Sequence, residues 1–474
     1  MKILIKYKYL YFLSLLFIVL FSCSDDDNQS VFDQSPSERV ADRITELQNL
    51  LVSQPNGFRA VYFPKDDERG GFTIFMKFNE DGTVVQTSDF DDDSTLQSSS
   101  YEVRLGTTTE LVFTTRNHIT KATDPTAVTE VINGFPTGLG FFGTSVFQYF
   151  SNDNGVITFR DVRNSETALM VLYPTNFTDF DTESVASVEA TYASRQAFNE
   201  VDCATASVFD SLVLEIPDGD GTKNYFLDFN LNTIFFEGET INTEEVPAPI
   251  DFGAVFSLVD GQQVISISPA LEVEGNSFED FVFDSGSAQY VATVNGATAT
   301  ISQKALSEPT GEDILDLPGT TFFYDTADGT NPLLSPCFQE LVIGQINTNL
   351  DNRFGPGVFS FAFYALFLDF DGNCSNLAIW VQDGAGGTFR ANYCLVAGVE
   401  DNIISFNYLG PYSGPNDAFL EAELTPMIDF FGGPQGLIYT NEGTFDGSIN
   451  TYSNAAGAFT SVDNKSLRTY GLFF

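Results

Sequence analysis

The chain has 474 residues and carries 65 Asp and Glu against 21 Lys and Arg, a net charge of −44 at pH 7. This charge repels a phosphate backbone and excludes nucleic acid as a partner. The single histidine, His118, excludes multi-histidine zinc and iron sites and HExxH proteases, while 48 Phe residues provide for large cores. The length predicts two or three domains.

Residues 1–22 have the form of a lipoprotein signal peptide. A basic segment, residues 1–8, precedes the apolar run 9–21, which is shorter than the roughly 20 residues of a membrane-spanning helix. The run ends in Leu20–Cys23, which matches a lipobox, so we expect Cys23 to be the lipid anchor. An ordinary signal peptide and an uncleaved anchor are the alternatives.

Residues 23–34 form an acidic tether. Asp25, Asp26 and Asp27 follow the anchor closely, and this run resembles the export signal that sends Bacteroidota lipoproteins to the outer face of the outer membrane. A solvated spacer is the alternative. Removal of the signal peptide takes away three lysines and leaves a net charge of −47. Lipid anchoring is compatible with this charge, because the acyl chains hold the protein at the membrane without contact between its acidic body and the lipid surface.

A helix is predicted directly after the tether. Ser35–Glu38 combines an N-cap serine, a proline at the first helical position and a glutamate at the third, which is a capping box. Gln54–Gly57 ends the helix, and a weaker helix is expected at Ser184–Asn199. We expect the first helix to pack on the first sheet through one apolar stripe formed by Val40, Ile44, Leu47 and Leu51.

Most of the remaining chain has the pattern of β-strands separated by turns. Phe72–Phe78 alternates with a period of two. Hairpins are predicted over Val255–Ser268, around Asp260-Gly261, and over Tyr290–Ser302, around Asn295-Gly296. The pattern predicts a mainly β protein: antiparallel sandwich or barrel-like domains with one N-terminal α-helix.

Two segments are candidate domain boundaries: Ser194–Asp202, which precedes the hairpin-rich middle of the chain, and Ser307–Leu317, which is acidic and helix-breaking. They divide the chain after the signal peptide and tether into three parts. These are an N-terminal helix plus β domain (35–200), a middle β domain (201–310) and a C-terminal β domain (311–474).

Four cysteines remain when the anchor cysteine is lipidated. An even number outside the cytoplasm permits two disulfides, and four free thiols are the alternative. A hairpin predicted over residues 377–394 brings Cys374 near Cys394. The pair Cys203 and Cys337 then follows by elimination.

Three acidic runs offer the oxygen ligands that calcium prefers: residues 89–93, 218–221 and 369–371. The second run does not fit an EF-hand, because its twelfth position is Phe229 rather than glutamate. Solvated turns are the alternative. The sequence therefore nominates no metal ligands, and calcium is the only cofactor for which it leaves room.

No motif nominates a catalytic residue. Gly138–Gly143 matches GxGxxG, but the strand predicted at Val146–Phe150 follows where a dinucleotide site needs a helix. A glycosidase needs two carboxylates, and 65 candidates nominate no pair. Sugar-binding platforms use exposed aromatic rings, for which Trp380 is the one tryptophan, although strand aromatics mostly belong to cores. His118 is expected to be structural.

Short motifs also run along the first part of the chain: Phe32–Arg39, Gly57-Phe58, Tyr62-Phe63, Gly70–Phe72, Lys77-Phe78, Gly82, Thr114–Asn117 and Asp124-Pro125. Over roughly residues 30–175 they resemble an uncharacterised family of Bacteroidota surface lipoproteins that is defined by a domain of unknown function. One departure is Phe58, where family members usually have Trp.

The resemblance implies a surface lipoprotein, often encoded beside SusC/SusD-like uptake systems, and it transfers no catalytic residue. We therefore expect an outer-membrane, surface-exposed, non-enzymatic module that binds a glycan or peptide nutrient or assists an uptake complex. One alternative is a hydrolase that acts on polysaccharide or peptide through an acidic pair. The other is a structural or adhesive surface protein.

Overall fold

The computed structural model describes residues 35–127, 131–132, 135–136, 140–198, 201–219, 221–240, 250–305, 317–325, 334–370, 373–446 and 451–474. Strands dominate these residues, which confirms the prediction of a mainly β protein with an N-terminal helix. Within the same ranges, no helix has both the length and the apolar character needed to cross a membrane. The helices are α1 (Pro36–Val52), α2 (His118–Lys121), α3 (Phe180–Ala197), α4 (Pro336–Phe338), a π-helical turn (Gln339–Gly344), α5 (Gln345–Phe354) and α6 (Glu421–Phe431).

The first barrel is an antiparallel sheet of eight strands, closed in the order β1-β10-β9-β8-β5-β4-β3-β2. The predicted strand Phe72–Phe78 is confirmed as β2, and nearly all of its side chains are buried. Phe75, for example, packs with Phe180 of α3. The strands are β1 (Phe58–Phe63), β2 (Phe72–Phe78), β3 (Thr83–Ser88), β4 (Gln97–Leu105), β5 (Thr109–Phe113), β8 (Val146–Asp153), β9 (Val156–Asp161) and β10 (Leu169–Pro174), with a separate two-stranded sheet of β6 (Val131–Ile132) and β7 (Phe135–Pro136).

Helix α1 begins where the capping box predicts. The Ser35 side chain accepts a hydrogen bond from the Glu38 amide, and the Glu38 carboxylate accepts one from the Ser35 amide at 2.8 Å. The helix lies against β2, β4 and β5. Leu47 and Leu51 are fully buried, so the C-terminal half of the predicted apolar stripe packs against the barrel. The second predicted helix is also present, as α3.

The second barrel is closed by eight consecutive antiparallel strands, β11 to β18. Both predicted hairpins are confirmed, since β14 pairs with β15 and β17 pairs with β18. Asn295 and Gly296 connect the latter pair with φ angles of 50° and 87°, as a type I′ turn requires. The strands are β11 (Asp210–Asp218), β12 (Gly221–Asn230), β13 (Phe235–Thr240), β14 (Ile250–Val259), β15 (Gln262–Val273), β16 (Asn276–Asp284), β17 (Gln289–Val294) and β18 (Ala297–Ala305).

The third barrel is closed by β19 to β26 in chain order. Helical residues such as Phe338, Ile346 and Phe431 share one core with strand residues such as Phe322 and Tyr364. Each such side chain contributes about 1.5–3 kcal/mol by leaving water. The strands are β19 (Thr321–Asp325), β20 (Phe359–Phe367), β21 (Ser375–Asp383), β22 (Thr388–Glu400), β23 (Ile403–Pro411), β24 (Leu437–Asp446), β25 (Thr451–Ser461) and β26 (Arg468–Phe473).

The described residues form two compact units. The first comprises those up to Ala193 together with Asn232–Phe235 and Phe252–Pro269, and the second comprises those of Ser194–Leu231, Phe236–Asp251 and Ala270–Phe474. Within the first unit, β14 packs on the first barrel, where Thr73 Oγ1 donates to the Phe256 carbonyl at 2.7 Å. The third barrel belongs to the second unit.

Candidate functional site

The predicted lipid anchor Cys23 and the export residues Asp25, Asp26 and Asp27 lie outside the described residues. The structure joins the other four cysteines in two disulfides. Cys203–Cys337 ties the segment before β11 to α4, and Cys374–Cys394 ties the residue before β21 to β22. The Cα atoms are 5.4 and 5.1 Å apart, as disulfide geometry requires.

Two carboxylates of the first acidic run, residues 89–93, form ion pairs with Lys121. Lys121 Nζ lies 2.7 Å from Asp91 Oδ1 and 3.4 Å from Asp93 Oδ2. The hydrogen bond from the Thr95 hydroxyl, together with the Lys121 charge, lowers the pKa of Asp93 to about 2. Asp220 and Asp371, in the other two runs, lie outside the described residues. Among the residues that are described, no three His, Cys, Asp or Glu side chains are grouped to hold a metal ion.

His118 is buried at the start of α2, and both of its ring nitrogens have partners. Nε2 lies 2.7 Å from the Thr95 carbonyl, and Nδ1 lies 3.0 Å from the Ser88 hydroxyl. Since a carbonyl only accepts, we assign the proton to Nε2. Burial lowers the pKa of the imidazole. Both ring nitrogens are thus engaged within the protein, which is compatible with the structural role expected from the sequence.

The strongest candidate site lies on the outer side of the third barrel, across β20, β21 and β22. Phe363, Trp380 and Arg390 stand side by side in the register of these strands. Their sequence neighbours Tyr364, Ile379 and Ala391 belong to the barrel core, so these three side chains point outward. We define the Trp380 face as the outward residues Phe363, Phe367, Asn376, Trp380, Arg390 and Asn392.

An aromatic row forms one part of the Trp380 face. The rings of Phe363 and Trp380 are stacked at 22°, with 4.6 Å between centroids. The Arg390 guanidinium carbon lies 5.0 Å from the Trp380 centroid and 5.8 Å from the Phe367 centroid, which are cation–π distances. Phe367 is 38% exposed, and Arg390 is exposed as well. The Trp380 ring is therefore held between Phe363 and the Arg390 guanidinium, and the face presents ring edges beside that guanidinium.

A chain of amides forms the polar part. Asp417, which is 1% exposed, accepts hydrogen bonds on Oδ1 from the Asn392 amide N–H at 2.9 Å and from Asn392 Nδ2 at 3.3 Å. Asn392 Oδ1 is thereby directed to Asn376, whose Nδ2 donates to it at 3.3 Å. Asn376 Oδ1 is left buried without a partner among the described residues. An unsatisfied buried acceptor costs about 1–3 kcal/mol.

Both sides of the Trp380 face are held in place. Asn376 is paired in register with Cys394, so the Cys374–Cys394 disulfide borders one side. The segment after β23 borders the other, where the Tyr412 amide donates to the Asn392 carbonyl at 3.0 Å. The face is therefore organised before any ligand binds, which reduces the entropy cost of binding.

The second unit also contains a cavity of about 220 Å³, which lies beside Cys337 between the segment before β11 and the start of β26. Its polar groups are largely engaged within the protein. Ser466 Oγ donates to the Cys203 carbonyl at 2.8 Å, and Arg468 is paired with Glu442. The cavity is smaller than the roughly 300–1,000 Å³ of typical ligand pockets. The Trp380 face is therefore the better candidate.

Sequence reasoning noted Trp380 as the one tryptophan, favoured core positions for strand aromatics, and nominated none of the residues around Trp380 for ligand binding. The alternation of β21 was the available signal, since it places Asn376 on the same side of the strand as Trp380. The contributions of Phe363, Arg390 and Asp417 depend on strand register and on a loop contact, which the local pattern does not encode.

Fold and site define a protein of closed antiparallel barrels with an aromatic and amide face on its third barrel. The model of the family described as Domain of unknown function (DUF4302) matches residues 28–285, more than half of the chain, so the protein belongs to this family. The Trp380 face lies beyond the matched residues. No curated protein matches the chain.

Two solved structures are weakly similar over most of the chain. One is a putative DNA polymerase III beta subunit from Eubacterium rectale ATCC 33656, with 10% identity over 90% of this chain and 96% of that one, and a TM-score of 0.17. The other is the DNA polymerase III beta chain from Streptococcus pneumoniae TIGR4, with 9% identity, 90% and 97% coverage, and a TM-score of 0.16. Scores this low carry no argument about fold or function.

Proposed function

We propose that this protein is a surface-exposed lipoprotein of the outer membrane that binds a nutrient for an uptake complex and is not itself an enzyme. The Trp380 face carries the proposal. It combines the exposed ring of Phe367, the exposed Arg390 guanidinium and the half-buried Asn376 and Asn392, which are groups that can contact a ligand.

The location in the cell is supported by the sequence. The lipobox ending at Cys23 provides the anchor, and Asp25–Asp27 provide the export signal of a Bacteroidota surface lipoprotein. The resemblance over roughly residues 30–175 connects the protein with SusC/SusD-like uptake systems. Membership of a family of unknown function is compatible with this role and adds no chemistry of its own.

Two sets of variants test the location. Cys23→Ala should abolish palmitate labelling, and replacing Asp25, Asp26 and Asp27 together with Ala should protect the protein from protease added to intact cells. Ser24→Ala is the matched control, because it leaves the acidic run intact. If the triple variant were digested as readily as the wild type, the acidic run would be only a spacer and not an export signal.

The uptake role is tested by purifying the tagged native protein in mild detergent. Co-purification of a SusC/SusD-like pair supports the role. A ligand that raises the melting temperature adds to it, since binding only the folded state stabilises that state. A protein without partner or ligand would contradict the role, and turnover of a polysaccharide or peptide would establish the hydrolase instead.

A further inference from the structure

We infer that the outer side of the first barrel, across β8, β9 and β10, is the surface by which this protein binds a partner protein, one that presents carboxylates around an apolar centre. We define the Leu169 face as the outward residues Phe150, Arg160, Val162, Leu169 and Tyr173. The inference rests on the proposed function, because a role in uptake requires a partner, and it names the surface and the charge of that contact.

Strand register places the Leu169 face on the outer side of the barrel. Arg160 of β9 is in register with Leu169 of β10. Their neighbours Phe159 and Met170 are fully buried inside the barrel, so by alternation Arg160 and Leu169 point outward. Phe150 of β8 lies beside them, since its ring centroid is 4.1 Å from the Arg160 guanidinium carbon. The face therefore spans three neighbouring strands.

Exposed apolar side chains are concentrated on this face. Among the described residues of the first unit, five large apolar side chains are exposed, and four of them belong to the Leu169 face. Phe150 is the most exposed, at 58%, and the fifth side chain is Leu105 at the end of β4. Single exposed apolar residues are normal on a protein surface, whereas a group of them indicates an interaction site.

The face continues a surface that the chain already uses for packing. On the neighbouring strand β1, the outward side chains Val61 and Phe63 are buried with Val255 of β14. Val61 is in register with Val171 of β10, and Phe63 is in register with Leu169. The apolar outer surface of the barrel is thus covered by β14 at β1, and it extends over β10, where Leu169 is exposed.

Charge specifies the partner. No carboxylate occupies an outward position on β9 or β10, and these positions are Val156, Thr158, Arg160, Leu169, Val171 and Tyr173. Arg59, Arg160 and Arg163 bring three positive charges to the face, with the Arg59 guanidinium carbon 4.7 Å from the Tyr173 centroid. Asp153 and Glu166 lie beyond the two ends of β9. The face is therefore net positive in a chain that carries −44, and it suits an acidic partner.

Arg160 is available to bind a carboxylate of that partner. Its side chain is exposed, and no Asp or Glu of the described residues forms an ion pair with it. The contact with the Phe150 ring is a cation–π contact and supplies no hydrogen-bond acceptor to the guanidinium N–H groups in their own plane. A carboxylate can accept two of these N–H groups at once.

A partner protein fits the face better than a second copy or a membrane does. The centres of protein interfaces are rich in aromatic residues and Arg and poor in Lys, Asp and Glu, which is the composition of the Leu169 face. A symmetric pair of copies would place the same arginines opposite one another, in two chains that each carry −44. A membrane of anionic lipid would repel the same charge.

Photo-crosslinking in intact cells tests the surface. The photoreactive amino acid p-benzoylphenylalanine replaces Leu169 in the full-length protein produced in its own host. In the control it replaces Leu105, which is exposed on the same barrel outside the Leu169 face. We expect a protein adduct at position 169 and little or none at position 105. Mass spectrometry identifies the partner and the crosslinked segment, which should contain Asp or Glu beside apolar residues.

Charge reversal then tests recognition with the identified partner and the purified full-length protein. Arg160→Glu and Leu169→Asp should each lower the affinity by about tenfold or more, because a carboxylate would meet carboxylates or desolvated apolar groups. Arg116→Glu is the matched control, since Arg116 is exposed in the loop before α2. Replacing the crosslinked partner carboxylate with Lys should restore binding to Arg160→Glu, which it would not do for a misfolded variant.

The outcomes separate the inference from the proposed function. An adduct with a second copy or with lipid, no adduct at position 169, or equal adducts at positions 169 and 105 would overturn the inference, as would unchanged affinity of Arg160→Glu. If an uptake pair still co-purifies with Arg160→Glu and Leu169→Asp, the role in uptake stands and this surface does not. An acidic partner captured on the face that belongs to no uptake system would support the surface and contradict the role.

Discussion

Asp417 is the residue on which the polar part of the Trp380 face depends, and its replacement by alanine makes the sharpest stability prediction. The carboxylate is buried and accepts three hydrogen bonds: one from the Gly414 amide at 2.7 Å and two from Asn392. Asp417→Ala leaves these donors without an acceptor.

The magnitude follows from the number of donors. Two of them are backbone amides, and losing the charged acceptor of a buried amide costs about 1–2 kcal/mol each. The Asn392 side chain is only half-buried, so water can replace part of its bond. The sum is about 3 kcal/mol. With a urea m-value of about 2 kcal/mol/M, the unfolding midpoint should fall by about 1.5 M.

Urea unfolding followed by the fluorescence of Trp380 measures this directly, because the only tryptophan reports on the third barrel. Asp383→Ala is the matched control. Asp383 also accepts two backbone N–H bonds, from Ala385 at 3.0 Å and Gly387 at 2.7 Å, but in a turn open to water. Its loss should cost about 1 kcal/mol or less. Equal midpoints for the two variants would refute the reasoning.

Other predictions concern features away from the Trp380 face. Non-reducing peptide mapping should find Cys203–Cys337 and Cys374–Cys394, and four alkylatable thiols in the folded protein would contradict the pairing. In an NMR titration of protein without a His tag, the single imidazole should titrate below 6.5, because burial lowers its pKa. The unfolded chain then binds the proton first, so unfolding free energy should fall as pH drops below about 6.5, and His118→Gln should flatten that decline. Burial raises the pKa of Tyr62 and Tyr364 well above 10, so stability should also fall as pH rises above 10, and absorbance at about 295 nm should show these phenols ionising only upon unfolding.

Local features of the fold were predictable from the sequence. The capping box at Ser35 and Glu38 involves neighbouring residues, and the Asn295-Gly296 turn depends on two adjacent conformations. The choice between sandwich and barrel was not predictable, because it depends on pairing between distant strands. In the first barrel, β1 closes the sheet by pairing with β10.

The candidate site was predictable only in part. Trp380 and Asn376 share one face of β21 by simple alternation. In β20, however, an irregularity between Phe361 and Phe363 shifts the register, so that Phe363 is opposite Trp380. Bulges of this kind redirect side chains and have no reliable local signature. The contact of Asp417 with Asn392 joins a loop to a strand, which periodicity does not reveal.

The central claim is that a cell-surface protein binds its nutrient on the Trp380 face, and ligand binding by intact cells tests it most directly. Cells that produce the wild type or Trp380→Ala from the native locus are incubated with fluorescently labelled polysaccharides and peptides. Surface amounts are matched by antibody staining, and both strains are read by flow cytometry. The account predicts binding by wild-type cells and about a tenfold loss with Trp380→Ala at equal surface amount. Equal labelling of the two strains would contradict it.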